Sequence, residues 1–322
     1  MKNKLTVTVA ICTYHRPDDL AKAMRSIEAQ TQPPEEVIIV DNGCQDTIKS
    51  LVKSVMPNAR YMAESLPGLD FARNRAICET NSEILAFLDD DAIADIDWIF
   101  SIRNAFKNYN VSALTGLILP LELKTKAQQL FEKNGGFGRG YKKRIVPKTS
   151  GNGAPHVFSA LVNTFNIGSG CNMAFKASVL KKLNGFDTAL DAGAFLPGGG
   201  DLDMFYRTMR HGYRIIYEPK AMVLHRHRRS MQTLKRQLSG HQRSVIAFLT
   251  KAIFLESSDG RAAVLAFLGW RLIKPIVRIM KRSIGRDVLP AVILIDMLKS
   301  SWLGLGSYYA SWSRVQQVKK AR

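Results

Sequence analysis

The sequence predicts an α/β protein, with a mostly parallel sheet flanked by helices and a basic helical extension at the C-terminal end. Three observations predict it. Between Thr6 and Leu88, short apolar, β-branched runs alternate with segments at helical spacing, the βαβα order of a parallel sheet covered on both faces. These runs end in polar residues, at Thr13-Tyr14, at Asp41 and at Asp89-Asp90-Asp91, and such sheets bind ligands at the carboxyl ends of their strands. After Arg229 the strand signals stop and the chain becomes helical and basic.

Each element has a local reason. Thr6–Cys12 is β-branched and apolar, so it reads as the first strand. It is short, contains two threonines and lacks a small-residue cleavage site, which separates it from a signal peptide. Leu20, Met24 and Ile27 recur at helical spacing, so Asp18–Gln30 is a helix entered through Pro17. Glu36–Val40 is a second strand, ended by the turn sequence Asp41-Asn42-Gly43. Ile48–Val55 is helical, Tyr61–Ala63 a short strand, Phe71–Thr80 helical and Ile84–Leu88 a buried strand. Asn134–Pro155 is rich in Gly, Lys and Arg and has little periodicity, which suits a surface loop; its Gly135–Gly140 run is a weak dinucleotide-motif match. Structure resumes over Phe165–Phe175, and Ser178–Leu183 is helical. A flexible loop, Phe195–Gly200, leads into Asp201 and Asp203; a helix, Met204–His211, is ended by Gly212. Tyr213–Tyr217 and Met222–Leu224 are strands. The expected organisation is a domain at 1–228, with a nucleotide-binding half (1–110) and an acceptor half (111–228), then a tail at 229–322.

Apolar content of 46% with 23% charged residues is that of a globular chain, not a disordered one. The formal net charge is +19, and residues 229–322 supply +13 of it, with 17 Lys/Arg against four acids. The basic surface therefore belongs to the tail. In Ala262–Arg282 the charges Arg271, Lys274, Arg278, Lys281 and Arg282 share one side of a helix, and Pro275 is expected to kink it. Such a helix suits an anionic membrane surface, or packs on the rest of the chain. Val288–Gly306 is the most apolar window, but Asp296 and Lys299 interrupt it; each costs about 2.5–3.5 kcal/mol at a bilayer centre, which argues against a span. Cys12, Cys44, Cys78 and Cys171 match no metal-ligand spacing and suit a reducing compartment. The expected location is cytoplasmic, peripheral at the inner face of a membrane.

The chemistry concentrates at Asp89-Asp90-Asp91, at the end of the apolar run Ile84–Leu88. Three adjacent carboxylates repel one another, so something positive must offset them. Hard divalent cations with phosphate oxygens do so. The alternative is a solvated turn whose last Asp caps a helix before Ile93.

Several segments together resemble the family 2 glycosyltransferases with the Rossmann-like GT-A fold. They are Val9–Pro17 (VAICTYHRP), Val37–Gly43 (VIIVDNG), Gly68–Asn74 (GLDFARN), Leu88–Asp91, Gly168–Phe175 (GSGCNMAF), Gly185–Asp187, Gly200–Asp203, Gly212–Pro219 and His225. The resemblance covers roughly residues 5–228. It implies transfer of a sugar from a nucleotide-diphosphate-sugar, most often UDP-linked, to an acceptor hydroxyl, with inversion and with Mg²⁺ or Mn²⁺ as cofactor. A cation bridging the two phosphates stabilises the leaving group.

The resemblance also assigns roles. Asp91 and His225 become the metal residues; the alternative for His225 is an exposed histidine in the basic run His225–Arg229. Thr13, Tyr14, Arg16, Asp41, Arg73, Asp89 and Asp90 become nucleotide-binding residues. Asp41 would accept from the N–H of a uracil-like base, or serve only its turn. Arg73 would meet base or phosphate, or pair with Asp70 three residues away. An inverting transfer needs a base for the acceptor proton, and Asp201 is the candidate, with Asp203 as its rival. The family usually has a Glu-Asp pair here, but Gly200 stands in place of the Glu. The alternative is that Asp201 only caps the helix.

The implied partners are a nucleotide-sugar and a saccharide or lipid-linked acceptor, in cell-surface polysaccharide or glycolipid synthesis. Two other functions compete. Gly200 admits a catalytically inactive sugar-nucleotide binder, and the pI of about 9.9 invites nucleic-acid binding. No recognisable nucleic-acid module is present in the sequence, so nucleic acid is not an expected partner.

Overall fold

A computed structural model describes residues 4–147, 155–190 and 196–320. The first half follows the expected order, with boundaries within two residues: β1 (Val7–Thr13), α1 (Pro17–Glu28), β2 (Glu36–Asp41), α2 (Asp46–Val55), β3 (Arg60–Ala63), α3 (Leu69–Glu79) and β4 (Ile84–Asp89). Next come β5 (Ala92–Ala94), α4 (Trp98–Asn108), β6 (Ala113–Pro120), α5 (Lys126–Lys133), β7 (Arg144–Val146), α6 (Val157–Asn166), β8 (Asn172–Lys176) and α7 (Ala177–Lys182). The chain continues with α8 (Gly200–Arg210), β9 (Ile215–His225), α9 (Met231–Leu255), α10 (Ser258–Ser283) and α11 (Ala291–Lys320).

Three expectations need correction. The two strands expected at Tyr213–Tyr217 and Met222–Leu224 are one, β9, whose pairing with β6 shifts register between Gly116 and Ile118. Helix α8 starts at Gly200, not Met204, so Asp201 and Asp203 stand in its first turn. The expected loop at Asn134–Pro155 contains β7; residues 148–154 of it, and Phe195 of the glycine loop, lie outside the described residues.

Among the described residues the sheet has nine strands, in the order β3-β2-β1-β4-β8-β6-β9-β5, with β7 also on β9. Strands β1, β2, β3, β4, β6 and β9 run one way, while β5, β7 and β8 run against them. The strand order reverses at β1, leaving a crevice at the carboxyl ends of β1 and β4. Register places Thr13 beside Asp41 and Cys12 beside Asp89, so the polar strand ends lie level. Alternate strand residues feed two apolar layers: Leu85 and Phe87 face one, Ile84, Ala86 and Leu88 the other.

The tail shares the first of these layers. Val245–Leu249 and Ala252 of α9, with Val264, Phe267 and Leu268 of α10, are buried in it. Two ionic groups tie α9 to α8: Lys251 Nζ lies 2.7 Å from Asp203 and from Asp187, and Glu256 meets Arg210 at 2.6 Å. The extension is thus built onto the sheet. Helix α10 also reverses the simplest amphipathic picture: Arg271, Lys274 and Arg278 are half-buried and line a cavity, while Trp270, Ile273, Ile276, Val277 and Met280 are exposed. Among the described residues, no helix is long and apolar enough to cross a membrane.

Candidate active site

The apolar run of β4 carries the aspartates to the mouth of the crevice, and two cations meet them there. Arg16 Nη1 lies 3.0 Å from Asp90 and 2.8 Å from Asp91. His225 reaches Asp91 from the other side, Nε2 to Oδ1 at 3.2 Å, because β5 pairs antiparallel with β9 and sets Ala92 opposite His225. Thr13 Oγ1 donates to Asp90 at 2.9 Å, so Thr13 and Asp90 serve each other. Burial pushes the Asp90 carboxyl up to about 6. Burial acts the same way on Asp91, but His225 and Arg16 outweigh it and hold that carboxyl well below the usual range. His225 is buried, not exposed as the basic run also allowed. Burial opposes its charge, yet Asp91 prevails and raises its pKa. Its Nδ1 lies 3.2 Å from His227 Nδ1, and His227 Nε2 lies 2.7 Å from Glu132. The ring is therefore oriented from behind.

These residues fit a hard divalent cation. Ligand atoms of Asp89, Cys171 and His225 lie within 4.8 Å of one another, with Asp91 beside His225. Burial pushes the Cys171 thiol well above its ordinary pKa, so it stays protonated and is a poor hard-metal ligand. Carboxylate oxygens of Asp89 and Asp91, with His225, are the donors that remain.

A cleft of about 480 Å³ opens beside them, lined by Arg16, Asp70, Arg73, Asp89, Asp201 and Arg228 among others. Arg73 is a buried side chain, not a helix-surface one. Its guanidinium lies 3.1 Å from Asp70 and 3.7 Å from Asp89, 5.3 Å over the Phe186 ring. Asp201 enters from the first turn of α8. One carboxylate oxygen accepts from Gly170 N and the other from Leu202 N, both at 2.8 Å. It is not the N-cap, a position held by Gly199, which has φ 106°.

Asp203 does not reach the cleft. It is fully buried and paired with Arg207 and Lys251, both at 2.7 Å, so of the two aspartates it is Asp201 that lines the cleft. Asp41 is also fully buried. Its carboxylate accepts from Gly43 N at 2.8 Å, Gln45 N at 2.7 Å and Tyr61 Oη at 3.0 Å. These bonds serve the turn and the neighbouring strand. Tyr14 is 60% exposed, packs edge-on to His15 and does not line the cleft.

Sequence reasoning passed over Asp70. A Cβ at position 200 would lie 1.7 Å from Asp70 Oδ2, so Gly200 leaves room for that carboxylate. Oδ2 is buried without a hydrogen-bond partner. Burial, helped by Asp201 and Asp187 against Arg73, pushes the carboxyl up to about 7. The signal was the missing side chain at position 200. Arg228, and Arg236 and His241 of the tail, line the same cleft too; no motif in the sequence marked them.

Comparison with known proteins agrees with this architecture. Glucosyl-3-phosphoglycerate synthase of Mycobacterium tuberculosis, solved with Mn²⁺, UDP and glucosyl-3-phosphoglycerate, superposes with a TM-score of 0.50 at 16% identity. The alignment covers 77% of this chain and 79% of that one. The fold is that of a GT-A glycosyltransferase. The family model described as Glycosyl transferase family 2 matches residues 8–183, more than half of the chain, and the protein belongs to that family. It is 24% identical over 230 residues to a glucosyl-dolichyl phosphate glucuronosyltransferase of Haloferax volcanii, covering 69% of each chain. It is 25% identical over 233 residues to an O-antigen chain rhamnosyltransferase of Salmonella typhimurium, covering 69% of this chain and 67% of that one. Similarity to a succinoglycan biosynthesis protein of Rhizobium meliloti, at 29% identity, spans 35% of this chain and 38% of that protein.

Proposed function

We propose that this glycosyltransferase moves a sugar, with inversion, from a UDP-linked donor to a hydroxyl of a saccharide or lipid-linked acceptor in cell-surface polysaccharide or glycolipid synthesis. The observation that carries the reading is the placement of Asp201: its carboxylate lines the same cleft as Arg73 and Asp89. The named activities of the Haloferax and Salmonella relatives point to such acceptors. Asp201 takes the acceptor proton as the new bond forms. Asp70 supplies from α3 the second carboxylate that position 200 lacks, and it holds Arg73 toward the donor phosphates. Mg²⁺ or Mn²⁺, held by Asp89, Asp91 and His225, would supply positive charge to the departing diphosphate. A thermal-shift screen of nucleoside diphosphates with and without Mn²⁺ tests the donor. UDP with metal should raise Tm most, since a ligand at 100 times its Kd stabilises by about 2.7 kcal/mol. No metal-dependent shift with any nucleotide would remove the reading.

The surface of α10 and α11 supports membrane association. Trp270, Ile273, Ile276, Met280, Trp302 and Trp312 are exposed there, with Lys281, Arg282 and Arg286 exposed nearby. Aromatic and apolar side chains flanked by cations suit an anionic lipid surface. The protein should float with vesicles containing anionic lipid at low salt and much less at high salt. Recovery entirely in the soluble fraction, or as a stable dimer that buries this face, would exclude the membrane.

A further inference from the structure

We propose that the cavity between α5, α9, α10 and α11 is a binding site for a phosphate or pyrophosphate group, carried by the acceptor. The cavity has a volume of about 200 Å³. It continues from the catalytic cleft, since Phe137, Gln237 and His241 line both. Its walls hold Arg139, His241, Arg271, Lys274 and Arg278, and among the described residues no acidic side chain lines it.

Among the described residues, Arg278 is ion-paired, with Asp287 at 2.6 Å, and also meets Asn134 at 2.8 Å. Arg139 Nη1 donates to the carbonyls of Gly136, Phe137 and Gly138, and no ion pair within 4 Å holds Arg139, His241, Arg271 or Lys274 among the described residues. The Nε atoms of Arg139 and Arg271 are buried without a hydrogen-bond partner. The Arg271 guanidinium lies 4.8 Å over the Phe165 ring, and Lys274 Nζ lies 4.9 Å from the Trp270 ring centre. Aromatic contact occupies the flat face of a guanidinium and leaves its N–H edge unused. Burial pushes Arg271 down to about 10 and Lys274 down to about 8. Half-buried cations drawn together without paired anions are costly, so a structure that keeps them is arranged for an anion from outside. Guanidinium edges and an ammonium converging on a small volume match tetrahedral oxyanions.

The outer side of α10 adds a second property. The helix that points Arg271 and Lys274 inward exposes Trp270, Ile273, Ile276 and Val277 outward. An acceptor with a phosphate head and an apolar tail could put its head in the cavity and lay its tail along the helix. The role assigned to the ligand rests on the reading of the cleft as a transferase site; its binding does not.

Calorimetry on the full chain tests the proposal. Pyrophosphate is titrated in EDTA, which removes the divalent contribution at the β4 tip. Wild type should bind it, and Arg271→Gln with Lys274→Gln should weaken it at least tenfold, while Lys274→Arg retains it. Where the double variant loses its folded Tm, Lys274→Gln alone decides, with a loss of several-fold expected. Binding of UDP with Mn²⁺, measured in parallel, should be unchanged, so failure of the donor reading is seen separately. Geranyl diphosphate binding more tightly than pyrophosphate identifies a lipid-linked source; equal affinity identifies a soluble phosphorylated acceptor. Equal pyrophosphate affinity for wild type and variants, or no binding to wild type, overturns the site.

Discussion

Asp201→Asn is expected to lower kcat by about 10²–10⁴, the range for loss of a general base, and to leave affinity for UDP nearly intact. The carboxylate accepts from Gly170 N and Leu202 N. An asparagine oxygen can keep one of these bonds, and loss of the other costs about 1 kcal/mol. The fold should therefore survive and the comparison should be clean. Asp203→Asn is the control, two residues away on the same helix. Asp203 is buried against Lys251 and Arg207, so breaking that group should cost about 3–5 kcal/mol of stability. Its kcat, measured below its lowered Tm, should stay close to wild type. Initial rates and thermal melts on both variants decide. Turnover by Asp201→Asn within a few-fold of wild type would exclude it as the base.

The contrast between these two aspartates shows where the sequence could be read and where it could not. Strands β1, β2 and β4 were legible because their apolar runs are largely buried and end at polar residues. The aspartate triplet was legible because like charges at a strand end demand a cation. Arg16 and His225 were named from the sequence, and the structure sets both against Asp91. What was not legible depended on partners distant in sequence. Asp203 looked equivalent to Asp201 until Lys251, 48 residues later, was found on it. Asp41 could not be assigned without Tyr61 on the neighbouring strand. Asp70 was hidden because its neighbour is an absence, the missing side chain at Gly200. The inward turn of Arg271 and Lys274 was invisible because helical spacing shows which residues share a face, not which way that face points.

Asp91→Asn should abolish the contribution of divalent cation to UDP binding. Direct ligands matter at least as much as their supporting partners, whose loss costs about 10–100-fold in metal affinity. The sign of a second effect makes the test sharper. Asp91 offsets Arg16 and His225, at 2.8 and 3.2 Å. Neutralising it leaves Arg16 facing the cleft with less compensation, which favours an anionic ligand, while the buried His225 loses the carboxylate that holds its charge. UDP in EDTA should then bind the variant as well as, or better than, wild type, while added Mn²⁺ brings no gain. A purely structural Asp91, serving only as counter-charge, predicts the opposite pattern: a lower Tm with the Mn²⁺-dependent gain retained. Titrating UDP into both proteins, with EDTA and with Mn²⁺, separates the two, because one mechanism removes the metal effect and the other leaves it whole.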